Sequence, residues 1–186
     1  MRDYISNPLS KREKMVLSGS RFERIVATFV SSSIPCSVLL NKEFMSPRLH
    51  RGLECDLIVI TSKRIYCVEC KNYSGYIAGD MFDYQWRFAS SSKIGRVQNP
   101  YLLNKKRIRT IRGKFYSRGI SPPHIENVIV VPDKCRVHVD SDCNVYNLSA
   151  FIESAIMTET LLPDIYNVDN VEKFLIKVSN TRDIGN

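Results

Sequence analysis

The chain has 186 residues, of which 44% are hydrophobic, which suits one domain with a real core. No apolar run approaches the roughly 20 residues of a membrane helix, and Met1-Arg2-Asp3-Tyr4-Ile5 lacks the apolar stretch of a signal peptide, so a soluble cytoplasmic protein is expected. The net charge of +8 is unevenly spread: Tyr84 to Ile125 carries ten Lys and Arg and no acid, so the rest of the chain carries −2. A one-sided basic segment is what phosphate-backbone binding requires, whereas a merely solubilising face usually mixes signs.

Residues 1–17 read as a polar, basic arm containing Pro8 and Lys11-Arg12-Glu13-Lys14. Ser18 to Ser20 can cap the first helix. Phe22, Ile25, Val26, Phe29 and Val30 then recur at helical spacing and predict one buried stripe. Glu23 falls beside that stripe, and a carboxylate flanking a buried face needs a partner, in the simplest case a nearby arginine. Ser31 to Pro35 ends the helix. Cys36 to Leu40 is a short strand, and Asn41 to Gly52 reads as a polar connection with His50 as a solvated loop side chain.

The most informative stretch follows. Leu53 to Ile60 and Arg64 to Lys71 are two apolar runs of strand length either side of Thr61-Ser62-Lys63, a break of hairpin length. Strand side chains alternate, so Glu69 and Lys71 share a face. In an antiparallel pair, Asp56 comes level with Glu69. Two carboxylates and an ammonium then converge at one sheet edge. Paired hard oxygens bind Mg²⁺ or Mn²⁺, and such an ion lowers the pKa of a bound water and neutralises charge on a phosphoryl group. A nearby lysine can position the attacking water or stabilise developing negative charge. The bland alternative is a solvated ion pair at a strand end.

Asn72 to Ser92 reads as a meander of short elements, punctuated by Gly75 and Gly79. Its aromatics, Tyr73, Tyr76, Phe82, Tyr84, Trp86 and Phe88, are expected mostly as core between a sheet and a covering loop. Asn99-Pro100 is a strong helix start, with Asn as cap and Pro in the first turn, and the helix should run to about Ser117 and stop at Gly119. Tyr101, Asn104, Ile108, Ile111 and Phe115 form its stripe, so Asn104 should meet something polar inside the fold. Its other faces carry Lys105, Lys106, Arg107, Arg109, Arg112 and Lys114, placed to meet a nucleic-acid backbone; Lys105, Lys106, Arg109 and Arg112 are the leading candidates. Ile125 to Val131 is a nearly continuous apolar strand, as a central position demands. Cys135 to Val139 is another short strand, and helices are expected at Ser149 to Met157 and Val168 to Val178. The six cysteines read as small buried hydrophobes; Cys67 and Cys70, three apart on a strand, point to opposite faces and argue against zinc.

Asp56, twelve residues, then Glu69-Cys70-Lys71 resembles the Asp…(Asp/Glu)-x-Lys signature of restriction-endonuclease-like nucleases. More narrowly the chain resembles the nuclease-related domain, NERD. The matching residues are Gly19-Ser20-Arg21-Phe22-Glu23, Glu54 to Val59, Val68 to Tyr73, Gly75, Gly79, Trp86 and Asn99-Pro100. That resemblance implies an α/β restriction-endonuclease-like core with a mixed central sheet flanked by helices, plus C-terminal helices. The resemblance runs from about Gly19 to about Val131, and the chain is expected to divide into a basic arm (1–17), a nuclease-related domain (18–157) and a C-terminal helical extension packed on the same domain (158–186). The resemblance implies a Mg²⁺- or Mn²⁺-dependent nuclease acting on DNA, with RNA an open alternative. Asp56, Glu69 and the Cys70 carbonyl would be metal ligands, Lys71 a catalytic partner of the water and Glu23 an accessory acid. Related domains often carry Gln soon after Asn-Pro; the aligned residue here is Leu103, which leaves Asn104 as a substitute neighbour of the site. The rival readings are an inactive nucleic-acid-binding module of the same fold, or a basic adaptor for a partner or membrane surface.

Overall fold

Helix α1 (Lys11–Ser33) begins the structure, a computed structural model that describes residues 11–181, with side chains from 19 to 180. Residues 1–10 of the basic arm and the last five residues lie outside the described residues. The helix starts well before the expected Ser18–Ser20 cap. Its buried stripe is Phe22, Val26, Ala27 and Val30, while Ile25 and Phe29 are exposed. The stripe is thus rotated toward the side that carries Glu23, because the partner surface contacts that side of the helix.

Strand β1 (Ser37–Ser46) is twice the expected length, and β2 (Arg51–Ile60) follows a tight turn. The supposed polar connection is mostly strand: Phe44 is fully buried, and its polar neighbours Lys42 and Glu43 pair with Cys55 and Glu54. Amphipathic alternation, and not overall polarity, decides such a segment. His50 is exposed in the turn. β3 (Ile65–Cys70) completes the hairpin with Ile60 opposite Ile65 and Leu57 opposite Val68.

Three short strands come next: β4 (Tyr76–Gly79), β5 (Gln85–Ala89) and β6 (Ile94–Gln98). Helix α2 spans Pro100–Tyr116, and Asn99 caps it by accepting from the Leu102 amide at 3.2 Å. Gly119 takes a left-handed φ of 67° just past its end. β7 (Ile125–Val131), β8 (Arg136–Val139) and β9 (Val145–Asn147) precede α3 (Leu148–Leu161), α4 (Val168–Val178) and β10 (Asn180–Thr181).

The strands form two sheets. The large one has the order β10-β1-β2-β3-β7-β9; β1, β2 and β3 run antiparallel, whereas β3, β7 and β9 run parallel. The small one has the order β6-β5-β4-β8. On one face of the large sheet, α1 and α3 bury Leu57, Val59, Val68 and Val130. On the other, α2 and α4 bury Ile58, Ile60, Ile65 and Cys67. The small sheet covers the rest of that second face through Ile77 and Trp86 against Ile129 and Val131. This is an α/β fold with mixed sheets flanked by four helices, consistent with a restriction-endonuclease-like core.

Trp86 explains the glycine before it: a Cβ on Gly79 would overlap the indole ring. Its Nε1 donates to the Asp80 carbonyl at 2.8 Å. Phe88 is buried and stacks on Tyr73, but Phe82 and Tyr84 are 89% and 72% exposed, so the aromatic meander is only partly core.

Candidate active site

The β1–β2 ladder is regular on either side of Asp56, with Leu40 opposite Leu57 and Lys42 opposite Cys55. Between those pairs Asn41 takes a left-handed φ of 49°. This distortion lets Cys55 join the same core cluster as Ile58, although strict alternation from Leu57 would put Cys55 on the opposite face. Asp56 sits at the irregular step, where its Oδ2 accepts a hydrogen bond from the Cys70 amide at 2.8 Å. It stands one step beyond the Leu57–Val68 pair, the last of the ladder, where the same register continued would set it opposite Glu69.

Glu69 is 2% exposed. It pairs with Ile129 on β7, where the cover of α2 gives way to that of the small sheet. One Glu69 oxygen accepts from Lys71 and the other from Arg107 of α2. The helix is held in place for this. Asn104 Nδ2 donates to the Cys67 carbonyl at 2.7 Å and to Asn127 Oδ1 at 2.8 Å, and its Oδ1 accepts from the Cys67 thiol. Arg107, one turn on, then lies over Glu69, two residues on from Cys67. Asn99 fixes the start of the same helix: its Nδ2 donates to the carbonyls of Asp80, Met81 and Asp83.

The electrostatics differ between the two acids. Burial, and then the charge of Glu69, push the Asp56 carboxyl up to about 7, against the opposing pull of Lys71 and Arg107. Burial would raise Glu69 too, but Lys71 and Arg107 outweigh it and hold Glu69 below the ordinary carboxylate value. Burial would make Lys71 easier to deprotonate, yet Glu69 and Asp56 outweigh that, so its ammonium holds its proton more tightly than usual. Glu23 feels this site from α1: burial raises it first, then the charges of Glu54 and Glu69, with Lys71 opposing.

The structure therefore brings Asp56, Glu69 and Lys71 together, with Glu23 within their electrostatic reach. Asn104 is 1% exposed, and its hydrogen bonds go to Cys67, Asn127 and Val128, which makes it a strap between α2 and the sheet. Lys105, Lys106, Arg109 and Arg112 are exposed on α2, and Lys105 lies over the Tyr101 ring. Arg107 departs from expectation, because it leaves the basic face to pair with Glu69. Its place three residues after Asn104 was the available signal. Cys67 and Cys70 occupy opposite faces of β3 and Cys135 a third cluster, as small buried hydrophobes do.

Glu54 and Glu69 act on Glu23, Glu69 acts on Asp56, and the two cations Lys71 and Arg107 act on both Asp56 and Glu69. Among the described residues no three His, Cys, Asp or Glu side chains form a metal-ligating cluster. Two carboxylates with the remaining positions left to backbone oxygen and water is the manner in which Mg²⁺ is usually held.

A sequence model of the nuclease-related domain, NERD, matches residues 18–132. The chain belongs to this family. The NERD match takes in every residue of the site just described, from Glu23 to Arg107, and ends one residue past β7. It carries the family's coarse description, a nuclease-related function. Neither the curated proteins nor the solved structures contain a significant match. No helix among the described residues is long and apolar enough to cross a membrane.

Proposed function

We propose that this NERD protein is a divalent-metal-dependent nuclease that hydrolyses phosphodiester bonds in DNA. The observation that carries the reading is the conflict between Asp56 and Glu69. Asp56 lies one step beyond the last β2–β3 pair, within reach of the Glu69 charge, and burial, then that charge, drives its carboxyl up to about 7. Carboxylates poised against each other in a half-dry site are stabilised by a cation, and perturbed acids of this kind concentrate at functional sites.

Asp56, Glu69 and the Cys70 carbonyl would hold Mg²⁺ or Mn²⁺. When bound, such an ion supplies Lewis-acid stabilisation of a phosphoryl group and a water of lowered pKa. Lys71 keeps its proton, so it acts as a fixed cation and hydrogen-bond donor that orients the attacking water or meets developing negative charge. Arg107 holds the second Glu69 oxygen and fixes the carboxylate's orientation. Glu23 adds negative charge from α1. The exposed cations of α2 hold the nucleic-acid backbone without reading sequence.

The test is cleavage of supercoiled, linear and single-stranded DNA with Mg²⁺ or Mn²⁺, comparing wild type with Asp56→Asn and Lys71→Met. Loss of about 100-fold or more in rate is expected in both variants. Cleavage that survives Asp56→Asn would sink the assignment. DNA binding without cleavage by the wild type, under either metal, would turn the protein into a binding module.

A further inference from the structure

A groove of about 540 Å³ runs between the β1–β2 turn and the exposed face of α2. Four cations line it, Arg48, Lys106, Arg109 and Lys114, and no acid does. Among the described residues none of the four forms an ion pair. Like charges gathered without counter-charges repel, so the groove is set for a polyanion. Its walls are also apolar: Pro47 and Leu49 face it, and Leu49 is 42% exposed.

Gly113 lies on the α2 wall, exposed and in the last turn of the helix. Nothing stands within 4 Å of where its Cβ would be. Glycine inside a helix costs about 1 kcal/mol relative to alanine, and no close packing demands it here. With no side chain there, the α2 wall of the groove stays low at this point. A second cavity of about 210 Å³ shares Lys106 with the groove; Glu43, Glu54 and Arg51 line it too, and it reaches Arg107, the partner of Glu69. Lys106 and Arg107, adjacent on α2, thus put the groove beside the candidate active site.

We propose that this groove binds a single strand of nucleic acid, with phosphates on the four cations and unpaired bases against Pro47 and Leu49. A duplex keeps its base faces stacked inside and would offer the groove phosphates alone. An unpaired strand offers both a charged backbone and flat apolar faces; single-strand sites pair a basic groove with surfaces for the bases, usually aromatic, and here Pro47 and Leu49 take that place. The proposal rests on the nuclease reading for the fate of the strand at the active site, but its test needs no cleavage.

The experiment is fluorescence anisotropy with a labelled oligothymidylate of about ten nucleotides, without divalent metal, across a salt series. Arg48→Ala with Arg109→Ala removes two groove charges. Arg87→Ala with Arg96→Ala removes two exposed charges from facing positions on the small sheet. The groove pair should weaken binding about tenfold or more and lower the salt slope by about 1.4, and the small-sheet pair should do neither. Gly113→Phe should weaken binding with the salt slope unchanged, and Gly113→Ala should raise the melting temperature, showing that the helix accepts a side chain there. Equal losses from the two double variants, full binding by Gly113→Phe, or tighter binding of a duplex of equal length would each overturn the proposal. Binding lost in the groove variants of a wild type that cleaves nothing would leave the groove standing and the nuclease reading fallen. Cleavage lost in Asp56→Asn, with normal oligothymidylate binding by the groove variants, would do the reverse.

Discussion

The β2–β3 hairpin carries charged residues at both ends, and the two ends behave differently. At the turn, Arg64 pairs with Glu126, and Lys63 pairs with Asp164 at 2.7 Å. Asp164 is 74% exposed, and its carboxyl is held below the usual value chiefly by hydrogen bonds from Lys63 and Ser62. Each acid there has its own cation, and water reaches Asp164 freely. At the other end Glu69 is nearly inaccessible, shares two cations, and stands beside a second acid that burial pushes up to about 7. The residue types are alike. What separates a solvated ion pair from an electrostatically loaded site is the number of like charges gathered where water is scarce.

The largest expected effect comes from removing the buried acid. Glu69→Ala leaves Lys71 and Arg107 without their shared counter-charge, and urea unfolding should show a loss of about 3–5 kcal/mol. Asp164→Ala at the turn should leave the unfolding midpoint within error. Similar losses from both variants would erase the distinction between the two ends.

Asp56→Asn should act in the opposite direction. Folding raises the Asp56 carboxyl from 3.8 to about 7. The folded chain therefore keeps a proton that the unfolded chain has lost, and wild-type stability from this group falls as pH rises from about 4 to about 7. The neutral variant escapes that loss. At pH 8 it should be more stable than wild type by at most about 4 kcal/mol, and near pH 5 the gap should shrink. Thermal unfolding at the two pH values decides it: a constant gap would mean that Asp56 ionises as freely as an acid at the turn.

A smaller shift should come from metal. Excess Mg²⁺ at pH 8 should raise the wild-type melting temperature by about 2–4 °C for each kcal/mol of binding. It should do nothing for Asp56→Asn. An equal shift in both proteins would place the ion elsewhere. The smallest effect is expected from Lys63→Ala, whose exposed partner leaves the hairpin indifferent to its loss and DNA cleavage unchanged.

Local signals carried much of the fold. Asn99 and Pro100 announced α2 because capping and a proline in the first turn are set by a few consecutive residues. Ile125–Val131 and Val168–Val178 were legible from an unbroken apolar run and from helical spacing. The placement of Asp56 beside Glu69 followed from a short break between two apolar runs, because strand period and hairpin length together fix register. β6 and β9 escaped notice: each is short, and neighbours from distant sequence supply the hydrogen bonds and cover that make it a strand.

The sequence by itself determined which residues carry charge, which segments alternate, and which acids a hairpin would set side by side, because those depend on neighbours a few residues away. Tertiary structure alone decided which face of α1 is buried, that Phe82 and Tyr84 stay in water, and that Arg107 turns inward to Glu69 while Lys105, Lys106, Arg109 and Arg112 remain outside. It also decided that Asp56 lies beside Glu69 with too little water for both to ionise easily. Burial and the summed field of charges from several elements have no local signature, since they exist only once α1, α2 and the hairpin have packed together.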